Sequence, residues 1–170
     1  YAMHSKGIEF PAYLPQTNPG YPWALAGGHM SMRTYLLLLN ERETGMEYWV
    51  DAITNPTRGM SILRDDILGS CKFTGLGTDQ MATAIADLTG LAVDAEQIEQ
   101  VVLRTFLRGY RLEKQQGFEM EDYSLPGVVH LEYPQIELPY FNSLDFFEQL
   151  RVQVTEKFDS MLEATLGSTA

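Results

Sequence analysis

The sequence predicts an all-α fold, an irregular helical domain with long loops, from two observations. Apolar residues recur at the three-and-four spacing of an α-helix in several long segments, and prolines and glycines gather between these segments. With 170 residues, of which 45% are hydrophobic, the chain is long enough to bury one core. We expect a single domain over 1–170, with a loop-rich part at 1–30, a helical core at 31–117 and a divergent tail at 118–170.

Turn-forming residues dominate positions 1–30, where we expect irregular chain. They are Pro11, Pro15, Pro19, Pro22 and the pair Gly27-Gly28. A loop of this length is uncommon unless it lines a binding site or is held by a partner. The leucine-rich run at 35–39 favours a buried helix, and the break at 55–57 precedes a further helix at about 60–68.

Helix-capping residues mark the starts of the later helices. The expected caps are Thr78 or Asp79 for a helix to about Leu88, Asp94 with Gln97 for a helix ending at Gly117, and Ser143 for the last helix. The apolar faces are Ile98, Val101, Val102, Phe106 and Tyr110 in the long helix, and Phe146, Leu150, Val154, Phe158 and Leu162 in the last. Between these two helices we expect irregular chain, with one possible short strand at 128–133.

The only cysteine follows an apolar helix end. Met60, Leu63 and Ile67 have the spacing of one buried face, and Gly69 stands where a left-handed cap would end the helix. Cys71 would then lie just beyond the helix, with Asp66 on a different face. A lone thiol cannot by itself hold a structural zinc or an iron-sulfur cluster. The alternative interpretation is a small buried Cys71 and a solvated Asp66.

Residues 66–73, Asp-Ile-Leu-Gly-Ser-Cys-Lys-Phe, resemble the Asp-x-x-Gly-Leu-Cys-x-Phe segment of the aldehyde ferredoxin oxidoreductases, which are tungsten-pterin enzymes. Ser70 replaces the family's usual leucine. Residues 6–15 resemble a Lys-Gly-x-Glu-x-Pro-x-Tyr-Asp-Pro run, and 28–35 resemble a Gly-x-Cys-His-x-Arg-x-Tyr run. The resemblance continues through Thr89-Gly90-Leu91, which would open a long helix, to Asp-x-x-Leu-Pro at 122–126. It covers about residues 1–126.

The resemblance implies roles for four residues. Cys71 would be the fourth ligand of a [4Fe-4S] cluster, and Asp66 would accept hydrogen bonds from a pterin of the tungsten bis-pyranopterin cofactor. His29 would lie near the tungsten and serve in proton transfer, although Ser31 occupies the family's histidine position. Arg33 would pair with a carboxylate or a pterin phosphate. The alternatives are a loop-bonded His29 and a surface Arg33.

The implied reaction is oxidation of an aldehyde by water to a carboxylic acid, with electrons leaving through the cluster to ferredoxin. The remaining cofactor ligands would come from an N-terminal remainder of the enzyme, since the chain begins at Tyr1 and close to a motif. We therefore expect a C-terminal fragment that is inactive alone, and a homo-oligomeric enzyme is compatible with the sequence. A branch of the same family that reduces aromatic acyl-CoA thioesters fits equally.

Charge and composition exclude several classes of partner. The 12 Lys and Arg residues against 23 Asp and Glu give a net charge of −11, which argues against binding nucleic acid or an anionic membrane. No apolar run has the length of a membrane span, and one cysteine gives no internal disulfide, so we expect a cytoplasmic protein. Two other interpretations remain open: a non-catalytic helical module that docks on a partner, and an acidic metal binder using Cys71 and His29.

Overall fold

The computed structural model describes residues 4–9, 19–25, 45–71, 74–131 and 143–167. Within these ranges the fold is predominantly α-helical, as predicted. The elements are strands β1 (His4–Ser5) and β2 (Ile8–Glu9) and helices α1 (Met46–Thr54), α2 (Ser61–Ile67), α3 (Thr78–Thr89), α4 (Ala95–Gln115) and α5 (Leu144–Leu166). Short 3-10 turns lie at Tyr21–Trp23, Met120–Asp122 and Gly127–His130. The predicted helix at 35–39 lies outside the described residues.

Helix α4 is the central element, in contact with α2, α3 and α5. The predicted capping box is confirmed: the Gln97 amide donates to Asp94 Oδ1 at 2.8 Å, and the Asp94 amide donates to Gln97 Oε1 at 3.0 Å. The helix ends at Gln115, and Gly117 follows with φ +90. On the predicted apolar face Phe106 and Tyr110 are fully buried, but Val101 is 52% exposed, so the prediction is wrong there.

Helix α5 packs on both α1 and α4. Its predicted N-cap is confirmed, because the Phe146 amide donates to Ser143 Oγ at 3.2 Å. The predicted apolar face is buried from Leu150 to the C-terminal turn, but Phe147 rather than Phe146 begins it. The buried face therefore begins one residue later than predicted. Phe146 and Phe147 lie four and three positions before Leu150, so helical spacing fits both about equally well.

Helix α3 ends at Thr89, in agreement with the predicted end at about Leu88, but its N-cap differs from the prediction. Its N-cap is Gly77, whose amide donates to Gln80 Oε1 at 2.8 Å, rather than Thr78 or Asp79. Gly90 ends the helix with φ +74. The expectation that residues 89–91 open the long helix is therefore wrong: the left-handed glycine ends one helix, and the next begins at Ala95.

Aromatic side chains from distant parts of the chain form the centre of the core. Trp23 stacks on Tyr123 with ring centroids 6.2 Å apart, and Phe106 lies 4.7 Å from Phe158. Trp49 of α1 is also fully buried. The short turn at 21–23 and Tyr123, directly after the turn at 120–122, thus supply core residues, although neither turn has the periodicity that identifies a helix.

A β-hairpin occupies residues 4–9, where we expected irregular chain. Ser5 pairs with Ile8 and His4 with Glu9 in an antiparallel register. Lys6 and Gly7 form the turn with φ +53 and +75, and tight hairpin turns require such left-handed residues. The possible strand at 128–133 is also corrected, because residues 127–130 form a 3-10 turn.

A tight approach between α1 and the following loop requires a glycine. The α1 helix ends at Thr54 with Asn55 as its C-cap, in agreement with the predicted break, and the Gly59 amide donates to the Asn55 carbonyl at 2.9 Å. A Cβ at Gly59 would lie 2.1 Å from the Ile53 carbonyl oxygen. Only glycine fits there, and this turn sets the direction of α2.

Candidate functional site

The candidate site begins at the C-terminus of α2. The Ser70 amide donates to the Asp65 carbonyl at 2.8 Å, and the Gly69 amide donates to the Asp66 carbonyl at 3.2 Å. These two bonds, with Gly69 at φ +66, form a Schellman motif that ends the helix. The predicted left-handed cap is confirmed, and it turns the chain away from the helix axis immediately before Cys71.

Cys71 and Asp66 are both exposed to solvent. The Cys71 carbonyl accepts bonds from the Thr74 amide at 2.9 Å and from Thr74 Oγ1 at 2.8 Å. The alternative of a buried Cys71 is therefore wrong, whereas Asp66 has the solvated position that the same alternative predicted. The C-terminal end of α2 thus presents one thiol and one carboxylate to solvent.

A buried arginine fixes the loop that carries Cys71. Arg64 donates to Asp65 Oδ1 at 2.7 Å, and both side chains are almost fully buried. It also reaches across the loop, donating to the Leu76 carbonyl at 3.1 Å and to Thr78 Oγ1 at 3.0 Å. Arg64 thus joins the end of α2 to the start of α3 and constrains the loop between them.

Sequence reasoning assigned no role to Arg64 or Asp65. The available signal was a pair of opposite charges within the apolar segment 60–68, since charged residues in such a segment are seldom buried unless they are paired. The predicted buried face of the same helix is only partly correct. Met60 is fully buried and Leu63 packs against the core, but Ile67 is 37% exposed.

The residues described here provide few metal donors. Within the described ranges, no three His, Cys, Asp or Glu side chains are grouped closely enough to hold a metal ion. The chain contains one cysteine, so it can supply at most one of the four thiolates that a [4Fe-4S] cluster usually requires. The exposed Cys71 fits a single-ligand contribution. His29 and Arg33 lie outside the described residues.

A second polar cluster is buried beneath the hairpin. Lys6 Nζ lies 2.6 Å from Glu113 Oε1 and donates to the Ala24 carbonyl at 3.0 Å. Tyr123 donates to the other Glu113 oxygen at 3.0 Å. The Lys6 side chain is only 2% exposed and that of Glu113 14%, so the pair has little access to a substrate. We interpret it as a structural contact between the hairpin and α4.

Burial shifts the pKa values of this cluster. Desolvation lowers the pKa of Lys6, although the charge of Glu113 and the hydrogen bond to it act in the opposite direction. Burial raises the pKa of Tyr123, and the nearby charge of Glu113 adds to the rise. The pKa of Tyr110 is raised by burial and by its 2.9 Å hydrogen bond to Asp159. Both tyrosines are therefore neutral hydrogen-bond donors at neutral pH.

Comparison with known proteins gives no family assignment. No protein-family model matches the sequence, and neither the curated proteins nor the solved structures include a match. Among the helices in the described ranges, none is long and apolar enough to cross a membrane. The described part of the chain is predominantly α-helical and presents an exposed carboxylate and an exposed thiol at the C-terminal end of α2.

Proposed function

We propose that this chain is the helical C-terminal part of an aldehyde ferredoxin oxidoreductase-like enzyme. The observation that carries the proposal is the end of α2, where the motif residues Asp66 and Cys71 are both exposed beside a glycine cap. The buried Arg64 donates to the Leu76 carbonyl and to Thr78 Oγ1, so it links α2 to the start of α3 a few residues after Cys71. The ordered sequence resemblance over about residues 1–126 supports the same class.

In this proposal each site residue has a limited role. Cys71 would give one thiolate to a [4Fe-4S] cluster, and the other three ligands would come from the N-terminal remainder of the enzyme. Asp66 would accept hydrogen bonds from pterin N–H groups, and Arg33 would bind a pterin phosphate. His29 would serve in proton transfer. When bound, the cofactors supply the redox chemistry, and the protein positions them and tunes their potentials.

The proposed reaction converts an aldehyde and water into a carboxylic acid, releasing two protons to solvent and passing two electrons to ferredoxin. The chain lacks the other cluster ligands, so the 170 residues alone should not reduce a viologen dye in the presence of an aldehyde. Aldehyde-dependent dye reduction by the isolated, metal-free chain would contradict the proposal. Dependence of the full-length enzyme on an aromatic acyl-CoA thioester, with no aldehyde activity, would assign it to the acyl-CoA reductase branch.

The decisive experiment is anaerobic iron and tungsten analysis of the full-length gene product. Cys71→Ser should lose about four irons together with ferredoxin reduction, while tungsten is retained. The matched control is Ser70→Ala in the same loop, which removes only a 3.4 Å contact with the Asp65 carbonyl and should keep the iron. Equal iron in wild type and Cys71→Ser would overturn the proposal and favour a helical interaction module.

A further inference from the structure

An apolar groove lies beside the helix end that carries Asp66. It is formed where the C-terminus of α2 meets α3 and the N-terminal half of α4, and it encloses a volume of about 170 Å³. Its apolar lining includes Ile67, Leu68, Ile85, Val93, Ile98 and Val101. A cavity of roughly 150 Å³ accommodates a benzene-sized group, so this groove has room for a large apolar side chain.

Large apolar side chains are exposed in this groove and at the connection between two of the helices that form it. Ile67 and Val101, which line it, are 37% and 52% exposed. Leu88 and Leu91, at the connection between α3 and α4, are 85% and 61% exposed. Isolated exposed apolar residues are common, but exposed apolar residues that line a groove indicate an interaction surface.

The segments that form the groove carry mainly negative charge, and Arg104, one helical turn after the lining residue Val101, is an exposed positive charge beside them. Residues 73–103 contain no lysine or arginine, and their acidic residues are Asp79, Asp87, Asp94, Glu96 and Glu99. All except Glu99, which is partly buried, are exposed. Asp66, at the end of α2, adds another exposed carboxylate. An apolar segment that enters the groove would therefore lie within a negative field, which favours flanking lysine or arginine residues.

We propose that this groove binds a basic amphipathic helix of a partner polypeptide. Grooves between helices accept apolar side chains at the i, i+3, i+4 and i+7 positions of a bound helix, and its flanking basic residues would pair with the acidic rim. A symmetric dimer through the same surface would instead place like charges opposite each other. The inference requires neither Cys71 nor a cofactor, so it is independent of the proposed enzymatic function.

A labelled peptide tests the groove on the 170-residue chain. The probe is a helical peptide of about 18 residues with leucines on one face and lysines beside them, and the comparison peptide has glutamate in place of each lysine. Fluorescence anisotropy should show binding of the lysine peptide at least about tenfold tighter than that of the glutamate peptide, weakening as salt rises. Equal affinity for the two peptides would overturn the proposal.

Matched variants locate the binding. Val101→Asp should weaken binding of the lysine peptide by about tenfold or more. Leu112 is about equally exposed on α4, at 54%, but does not line the groove, so Leu112→Asp should leave this binding unchanged. The double variant Asp87→Asn with Glu96→Gln should weaken binding of the lysine peptide several-fold. The control double variant, Glu148→Gln with Glu156→Gln on α5, should leave it unchanged. Circular dichroism confirms folding of each variant. Binding unaffected by Val101→Asp, or self-association abolished by it, would overturn the proposal.

Discussion

Lys6 shows how a single residue connects distant parts of the chain. It occupies a left-handed position in the hairpin turn, which favours glycine, yet its ammonium group pairs with Glu113 of α4 and lies 5.0 Å from the centroid of the Tyr123 ring. The backbone strain is offset by these buried contacts. Removing one partner of a buried ion pair is usually more harmful than removing both, because a charge remains unpaired.

Lys6→Met should lower the free energy of unfolding by about 3 kcal/mol, because Glu113 keeps a buried charge without its main partner. Adding Glu113→Gln to Lys6→Met should recover part of the loss, since the amide is neutral and its oxygen still accepts the Tyr123 hydroxyl. Urea denaturation of the wild type, both single variants and the double variant measures the coupling. A coupling energy below about 0.5 kcal/mol would contradict a stabilising pair.

Arg64 is expected to control the order of the Cys71 loop. Arg64→Met removes donors to Asp65, Leu76 and Thr78, so stability should fall by about 2 to 4 kcal/mol and amide hydrogen exchange should accelerate at 74–78. The control is Arg58→Met, because Arg58 pairs with Asp51 at the surface and should change stability by less than about 1 kcal/mol. Unchanged exchange at 74–78 in Arg64→Met would show that the loop is held by other contacts.

At the scale of elements, the connection between α1 and α2 depends on Gly59. Gly59→Ala places a Cβ 2.1 Å from a backbone oxygen, so the turn must open, and we expect a loss of about 3 kcal/mol or more. Gly127→Ala is the control, since a Cβ there meets no atom within 4 Å. Thermal unfolding compares the two variants. Equal melting temperatures would mean that the turn relaxes at little cost.

Helix boundaries were predictable where capping bonds are local. Asp94 with Gln97, Ser143 and Gly69 act through hydrogen bonds to residues three positions away or fewer, so the residue types alone indicate them. The start of α3 was missed because a glycine N-cap has no side-chain signal. The hairpin was missed because its two-residue strands are too short to show alternation.

At the scale of the whole molecule, the buried tyrosines predict loss of stability at alkaline pH. The folded-state pKa values of Tyr110 and Tyr123 lie above the unfolded value of 10.0, so the unfolded chain releases protons first. The stabilising contribution of these tyrosines is complete below about pH 10 and is lost as the pH rises further. Lys6 has the opposite effect. Its pKa is lower in the folded state than the unfolded value of 10.5, so between these two values the unfolded chain binds more protons and stability rises with pH.

Urea midpoints measured from about pH 8 to about pH 11 should therefore decline above about pH 10, and less steeply in Tyr123→Phe. In Lys6→Met, the same pH series should lack the increase in stability that Lys6 contributes as the pH rises toward 10.5. Tyrosinate absorbance provides an independent measurement. If all nine tyrosines of the folded protein ionised together near pH 10, the burial of Tyr110 and Tyr123 would not have the predicted effect.

The sequence alone determined the all-α class, the capped ends of α2, α4 and α5, and most of the apolar faces, because these depend on spacing and on hydrogen bonds within one turn. It also singled out Asp66 and Cys71 as candidate residues. The tertiary structure decided that both are exposed, that Lys6 pairs with Glu113, that Arg64 spans the Cys71 loop, and that Ile67 and Val101 line a groove. These features depend on which helices pack together, and local patterns in one sequence do not specify contacts between residues as far apart as 6 and 113.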